Sequence, residues 1–375
     1  MIRLARPDLG EAEIRAVVAV LESGMLVQGA RVAEFERQVA AAVGSTSAVA
    51  VSSGTAALHL SLSVLGVGAG DAVMLPAYSF TATANVVELC GARPVFVDID
   101  ERTFNIDSAS LEEALHRWCA VGEAAPRVIL PVHAFGLMAD MRAITELSTN
   151  LGLSVVEDAA CALGARRDGF TAGISGSLGC FSFHPRKAVT TGEGGAITTS
   201  DAALERRLRA LRNHGQDPHA ASPDFVVPGW NYRLSELQAA IGSVQMTRLQ
   251  ALIAAKQAAA LYYNEMLAPF PVTRPYVPEG AVHVYQSYVI LLPEEQASSR
   301  PNVIAQLRDA GIEASIGTWH IPMTRFYRER YGYRPGDFPI TDGVFARSLS
   351  LPLYAGIPRA EQATVVEALA AVLSA

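Results

Sequence analysis

The stretch Ala48-Val-Ala-Val-Ser-Ser-Gly-Thr-Ala-Ala-Leu-His-Leu60 runs from small apolar residues through a polar turn into an Ala/Leu-rich segment. Ala48–Ser52 reads as a strand, because an unbroken apolar run suits a strand covered on both faces. Thr55–Leu65 reads as the helix that follows it. The pattern recurs down the chain. Strands are expected at Ala72–Pro76, Pro94–Asp98, Val128–Val132 and Leu153–Glu157, and helices at Ala82–Cys90, Leu111–Trp118 and Met141–Leu151. Apolar strands separated by helices imply a mainly parallel sheet between helical layers, an α/β class.

Beyond this block the pattern changes. Cys180–Phe183 and Gly195–Thr199 read as short strands around a Gly-rich turn. Ser235–Leu267 is long, rich in Ala, Leu and Gln, and helical. After it, Val282–Leu292 reads as a strand, Val303–Ala310 as a helix, Glu313–Gly317 as a strand and Arg359–Leu373 as a helix. A chain of 375 residues exceeds the ~250–300 at which one core stops growing. The expected division is a large domain over 1–245 and a smaller α+β domain over 246–375.

Composition excludes several classes. Half of the residues are hydrophobic, 18% are charged, and the net charge is −7. A modestly acidic chain argues against nucleic acid or an anionic membrane as partner. The N-terminus shows no signal core, and no apolar run reaches the ~18–20 residues that span a bilayer. Cys90, Cys119, Cys161 and Cys180 lack C-x-x-C spacing, so mostly buried thiols in a reducing cytoplasm are expected. Asp98-Ile-Asp100 resembles metal-ligand spacing. Polar residues at a strand end explain it more simply, and no metal is expected. His133 reads as a satisfied strand-end histidine. The run Arg325–Arg334, with its four aromatics, reads as an anion-facing or subunit-facing loop.

Three short segments carry the chemistry. In Val51-Ser-Ser-Gly-Thr-Ala-Ala-Leu58, small residues join a strand to a helix N-terminus, where free N–H groups and the dipole favour an anion. A phosphate cradle and an ordinary capped turn are both open. In Val155-Val-Glu-Asp-Ala-Ala160, Asp158 falls at the carboxyl end of a strand, where open sheets bind ligands. It could oppose a cationic ring nitrogen or cap the next segment. In Phe181-Ser-Phe-His-Pro-Arg-Lys-Ala-Val-Thr-Thr-Gly-Glu-Gly-Gly195, Lys187 lies between two apolar runs, where partial burial favours the free amine that imine chemistry needs. Ser182 offers a further hydroxyl. Phosphate turn, carboxylate and lysine, in that order on one α/β domain, fit pyridoxal 5'-phosphate (PLP) held by Lys187.

These segments resemble the DegT/DnrJ/StrS-type aminotransferases of the fold type I, aspartate-aminotransferase superfamily. The resemblance runs from about Glu22 to Leu353. It is carried by Ser53–Leu60, Pro76–Asn85, Pro94–Asp100, Glu157–Ala160, Phe181–Gly195 and Gly229–Ala240. It implies a large domain with a mostly parallel seven-stranded sheet and a smaller α+β C-terminal domain. Lys187 then matches the Schiff-base lysine and proton shuttle, Asp158 the pyridinium partner, and Phe80 the aromatic that stacks on the ring. Gly54, Thr55 and Ser182 match the phosphate cradle. Asn231 matches a contact made across a homodimer with shared active sites. Cys161 stands where the family often has Gln against the ring hydroxyl, and implies altered tuning of the ring. His184 and Arg186 flank the lysine and either touch substrate or line the cleft, Arg233 matches a carboxylate binder for the amino donor, and His320 is displaced from the family's substrate-histidine pattern, whose places hold Trp319 and Thr324. The implied reaction moves an amino group from an amino acid, glutamate or glutamine, to a keto-sugar carried on a nucleotide. A keto-cyclitol aminotransferase, an aminobenzoate synthase and a non-catalytic sensor are the alternatives.

Overall fold

Residues 1–120, 126–217 and 219–373 are described by the computed structural model. Seven strands form the large sheet: β1 (Ser47–Val51), β2 (Ala72–Pro76), β3 (Arg93–Val97), β4 (Val128–Ile129), β5 (Ser154–Asp158), β6 (Leu178–Ser182) and β7 (Gly195–Thr199). Their order is β1-β7-β6-β5-β4-β2-β3. Only β7 runs against its neighbours, and the pairs from β6 to β3 are parallel.

Alternation along the strands feeds two cores. Val49 and Val51 of β1, with Val73 and Leu75 of β2, pack under α3 (Gly54–Val64), α4 (Ala82–Leu89) and α7 (Ala202–Arg212). Ala48, Ala50 and Met74 face the other way. They meet α2 (Ala30–Val43), which follows α1 (Glu11–Ser23), together with α5 (Ser108–Ala120), α6 (Met141–Leu151) and α8 (Glu236–Thr247). Apolar residues on every strand position are thus required by two helical layers. Helix α3 is buried almost all round, which is why its sequence lacks a polar face. Truncating its fully buried Leu60 to Ala should cost about 2–5 kcal/mol.

A third core lies beyond α9 (Leu249–Met266). Tyr263 packs with Tyr288, Leu349 and Leu351, with Leu307 of α10 (Arg300–Asp309), and with Leu369 near the C-terminus. Two short helices pack elsewhere before the terminal α13 (Arg359–Leu373): α11 (Arg325–Tyr331) buries Tyr327 in the core under α3 and α4, and α12 (Pro339–Arg347) buries Val344 beside Tyr78 and Val289.

Three expected elements differ. The helix over Ser235–Leu267 breaks at Arg248 (φ −107°, ψ 1°). The Arg248 guanidinium pairs with Asp8 and, at 3.3 Å, with Glu13. The strand over Val282–Leu292 splits into Ala281–Val282 and Tyr288–Leu291, which pair with different partners. Between them Tyr285 takes φ 47°, and its ring stacks on His283 at 4.0 Å. Glu313–Gly317 forms no strand beyond a single bridge from Ser315 to Ser350. Trp319–His320 instead pairs with Tyr78–Ser79.

One cap joins distant segments. The buried Glu236 carboxylate accepts the amides of Gly29 (2.8 Å), Arg31 (2.9 Å) and Val32 (2.8 Å) at the N-terminus of α2. Cys90, Cys161 and Cys180 are free thiols, and Cys180 alone of these is fully buried. The Cys119 side chain lies outside the described residues. Among the described residues no helix is long and apolar enough to cross a membrane.

Candidate active site

The carboxyl ends of the parallel strands open onto a cleft of about 560 Å³. One wall is the start of α3. Ser53 caps the helix, its Oγ accepting from the Ala56 amide at 3.1 Å. The first amides of a helix have no partner within it, so the backbone there offers donors to an anion. Gly54 is needed because a Cβ at that position would stand 2.8 Å from the Ser182 Cβ. The start of α3 and the end of β6 therefore touch, bringing the Thr55 and Ser182 side chains onto one wall.

Asp158 ends β5 and is buried. Its Oδ2 accepts from Thr83 Oγ1 at 2.8 Å, and its Oδ1 from the Ala160 amide at 3.2 Å. Ser79 Oγ lies 3.0 Å from the Thr83 hydroxyl and steadies it. Burial raises the Asp158 carboxyl above its ordinary range. Thr83, Ala160, Lys187 and His133 offset part of that rise. Asp158 has no ion-pair partner within 4 Å among the described residues.

Lys187 sits in a turn closed by its own amide on the His184 carbonyl (2.8 Å). Its Nζ donates to Cys161 Sγ at 3.0 Å. Phe80 lines the same cleft and is 63% exposed, an unusual state for a phenylalanine. His184 accepts the Arg186 amide on Nδ1 at 3.2 Å. Partial burial lowers the pKa of its ring, while Glu193, 4.0 Å from Nε2, acts in the other direction. Arg186 is exposed at the mouth.

Nine of the expected site residues thus converge: Gly54, Thr55, Phe80, Asp158, Cys161, Ser182, His184, Arg186 and Lys187 all line the cleft. Three do not. Asn231 is exposed elsewhere on the surface. Arg233 is fixed by Asn213, its Nη1 donating to Oδ1 at 2.6 Å. His320 is buried, with Nε2 2.9 Å from Asp342 Oδ1 and its ring edge-on to Phe338 and Phe345. Alternation along Trp319–His320 turns the exposed tryptophan outward and the histidine into this packing.

Other expectations resolve as structure. His133 is fully buried against Glu157, with Nε2 at 2.9 Å from Oε2. Asp98 caps α12, accepting from the Ile340 and Thr341 amides and the Thr341 hydroxyl. Asp100 accepts from Thr103. The orienting pair Ser79 and Thr83 was not foreseen. Their only trace in the sequence is that both fall in the S-F-T-A-T run around Phe80.

The DegT/DnrJ/EryC1/StrS aminotransferase family model matches residues 7–370. The GDP-perosamine synthase of Caulobacter vibrioides is 38% identical over 376 residues, covering 99% of this chain and 98% of that protein. The crystal structure of a DegT/DnrJ/EryC1/StrS aminotransferase from Brucella abortus superposes with a TM-score of 0.90 at 33% identity, covering 97% and 96% of the two chains. The PLP form of Spr1654 from Streptococcus pneumoniae superposes with a TM-score of 0.91 at 27% identity, covering 100% and 98%.

Proposed function

Since the chain belongs to the DegT/DnrJ/EryC1/StrS aminotransferase family, we propose that it is a PLP-dependent enzyme that moves an amino group from glutamate or glutamine to a nucleotide-linked keto-sugar. The observation that carries this reading is the buried, cation-free Asp158 in one cleft with Lys187 and an anion-binding helix start. The residues fit the cofactor. The close approach of Gly54 to Ser182, which a Cβ would block, sets a hydroxyl beside the first amides of α3, where a phosphate would sit, and Asp158 suits a protonated ring nitrogen.

When bound, PLP supplies an aldehyde that captures amines and a ring that takes up the electrons released as a carbon loses its proton. Lys187 would hold that aldehyde, and its Nζ, once free, would be the base placed to move a proton from the substrate carbon. Asp158, aimed by Thr83 and Ala160, would oppose the ring nitrogen and favour its charged form. Phe80 offers its exposed face to the ring. Cys161 holds the Lys187 amine in the cleft. His184 and Arg186 stand at the mouth, where an anionic substrate enters.

The sugar substrate is supported by the C. vibrioides relative, whose name specifies a GDP-linked amino-sugar. A homodimer is supported by Asn231 lying outside its own chain's cleft and by the apolar stripe Ile14, Val18, Leu21 and Met25, exposed along α1 and just beyond it. A smaller C-terminal unit is supported by the separate core around Tyr263, although Met246, Leu249, Leu252 and Ile253 still pack into the large domain's core. A cytoplasmic site fits the free thiols.

Lys187→Ala tests the reading. The variant should fold, lose the borohydride-reducible link to PLP and lose turnover with every keto-sugar nucleotide. Wild-type turnover in Lys187→Ala would end the proposal.

A further inference from the structure

The chain contains three tryptophans, and two of them are packed. The Arg93 guanidinium lies over the Trp118 ring at 5.0 Å. Trp230 stacks on Tyr232, with ring centroids 6.0 Å apart and planes 13° from parallel. Trp319 differs. It is 45% exposed. Among the described residues no ring or guanidinium faces it, and its indole N–H has no acceptor.

The backbone beneath that ring is rigid. Trp319–His320 pairs with Tyr78–Ser79. Before the tryptophan, the Thr318 amide donates to the Tyr78 hydroxyl at 3.2 Å, which itself donates to Ser348 Oγ at 2.8 Å. Gly317 packs so closely there that a Cβ would stand 2.3 Å from the same hydroxyl oxygen. After it, Asp342 holds His320 at 2.9 Å, and the Ile321 amide donates to the Ala77 carbonyl at 2.9 Å. Folding thus fixes an apolar surface in water without burying it, which stabilises nothing. A ring already held still loses little entropy when a ligand covers it.

The strand register shows which way the ring faces. Trp319 stands opposite Ser79, and residues directly opposite on paired strands share a face. Ser79 lines the cleft, as do Gly317 and Thr318. Trp319 is the next residue beyond that lining, at the rim.

We infer that Trp319 is the platform on which the base of a nucleoside diphosphate stacks when a nucleotide-linked substrate binds. This rests on the substrate proposed above. The reacting carbon has to reach Lys187, so the sugar occupies the cleft and the nucleotide trails to the rim. A base needs a flat apolar surface there, and an indole offers more of it than any other side chain. Every base has a π-face, so purine and pyrimidine diphosphates should both use this platform.

Calorimetry on the PLP-loaded enzyme tests this, with guanosine diphosphate, uridine diphosphate and pyrophosphate as probes. Trp319→Ala should weaken both nucleotides by roughly tenfold to a hundredfold, the scale for one base on one aromatic side chain. Pyrophosphate has no base and should bind wild type and variant alike. Trp319→Phe should restore most of the affinity. The KM for a keto-sugar nucleotide should rise with the loss in Trp319→Ala, while the glutamate half-reaction keeps its rate. Unchanged nucleotide affinity in Trp319→Ala overturns the inference. So does an equal loss for pyrophosphate, or a change in oligomeric state, which would make Trp319 a subunit contact. Wild type that binds the nucleotides through Trp319 but turns over no keto-sugar nucleotide would overturn the proposed reaction instead.

Discussion

Glu157 and Asp158 are neighbours in sequence, yet the end of β5 turns them to opposite sides of the sheet. Both are buried. Behind the sheet, Glu157 meets His133 Nε2 (2.9 Å) and accepts the amides of Gly173 (2.8 Å), Ser175 (2.6 Å) and Gly176 (2.7 Å). His133 Nδ1 accepts the Ala139 amide at 3.2 Å, which leaves the ring proton on Nε2, pointing at Glu157. This carboxylate has no capacity left. On the cleft side, Asp158 takes one hydroxyl and one amide. Burial alone does not mark a functional acid. The difference lies in what each carboxylate still lacks: Glu157 lacks nothing, and Asp158 lacks a cation.

That contrast breaks or holds under three substitutions. Glu157→Ala should cost the most, about 3–5 kcal/mol of stability, because it strands a buried imidazole N–H and three amides. Denaturant unfolding measures this, and the kcat of the folded fraction should stay at the wild-type value. Loss of turnover without loss of stability would erase the distinction. Asp158→Asn should show the reverse: near wild-type unfolding with kcat lower by roughly 10²–10³, the usual scale for removing one preorganised charge. Thr83→Val should have the smallest effect. Removing one hydrogen bond to a charged group costs about 1.5–3 kcal/mol, read as a fall in kcat larger than any change in the donor KM. An unchanged kcat would show that Asp158 needs no help in orientation.

Much of this was legible in the sequence. The strand ends that build the cleft follow from alternation and turn chemistry: β1 into Ser53-Gly-Thr55, β5 into Asp158, β6 into Ser182. Each depends on contacts close in the chain. Failures came where distant residues decide. The strand-like apolar run breaks around Tyr285, where the Val284 and Gln286 amides donate to the Gly136 and Phe135 carbonyls at 3.0 and 2.9 Å. His320 looks available from its motif, yet Asp342 holds it. Arg248 breaks a helix with good local propensity where Asp8 and Glu13 meet its guanidinium.

The Glu236 cap has a mechanical consequence. It clamps the start of α2 to the segment that follows Asn231 and Arg233, and its own amide donates to the Leu26 carbonyl at 3.1 Å. The exposed Met25–Val27 stretch and the Asn231 surface are therefore parts of one stiff plate rather than two loose flaps. Whatever seats against that plate meets a shape already set, and little entropy remains to be lost on contact.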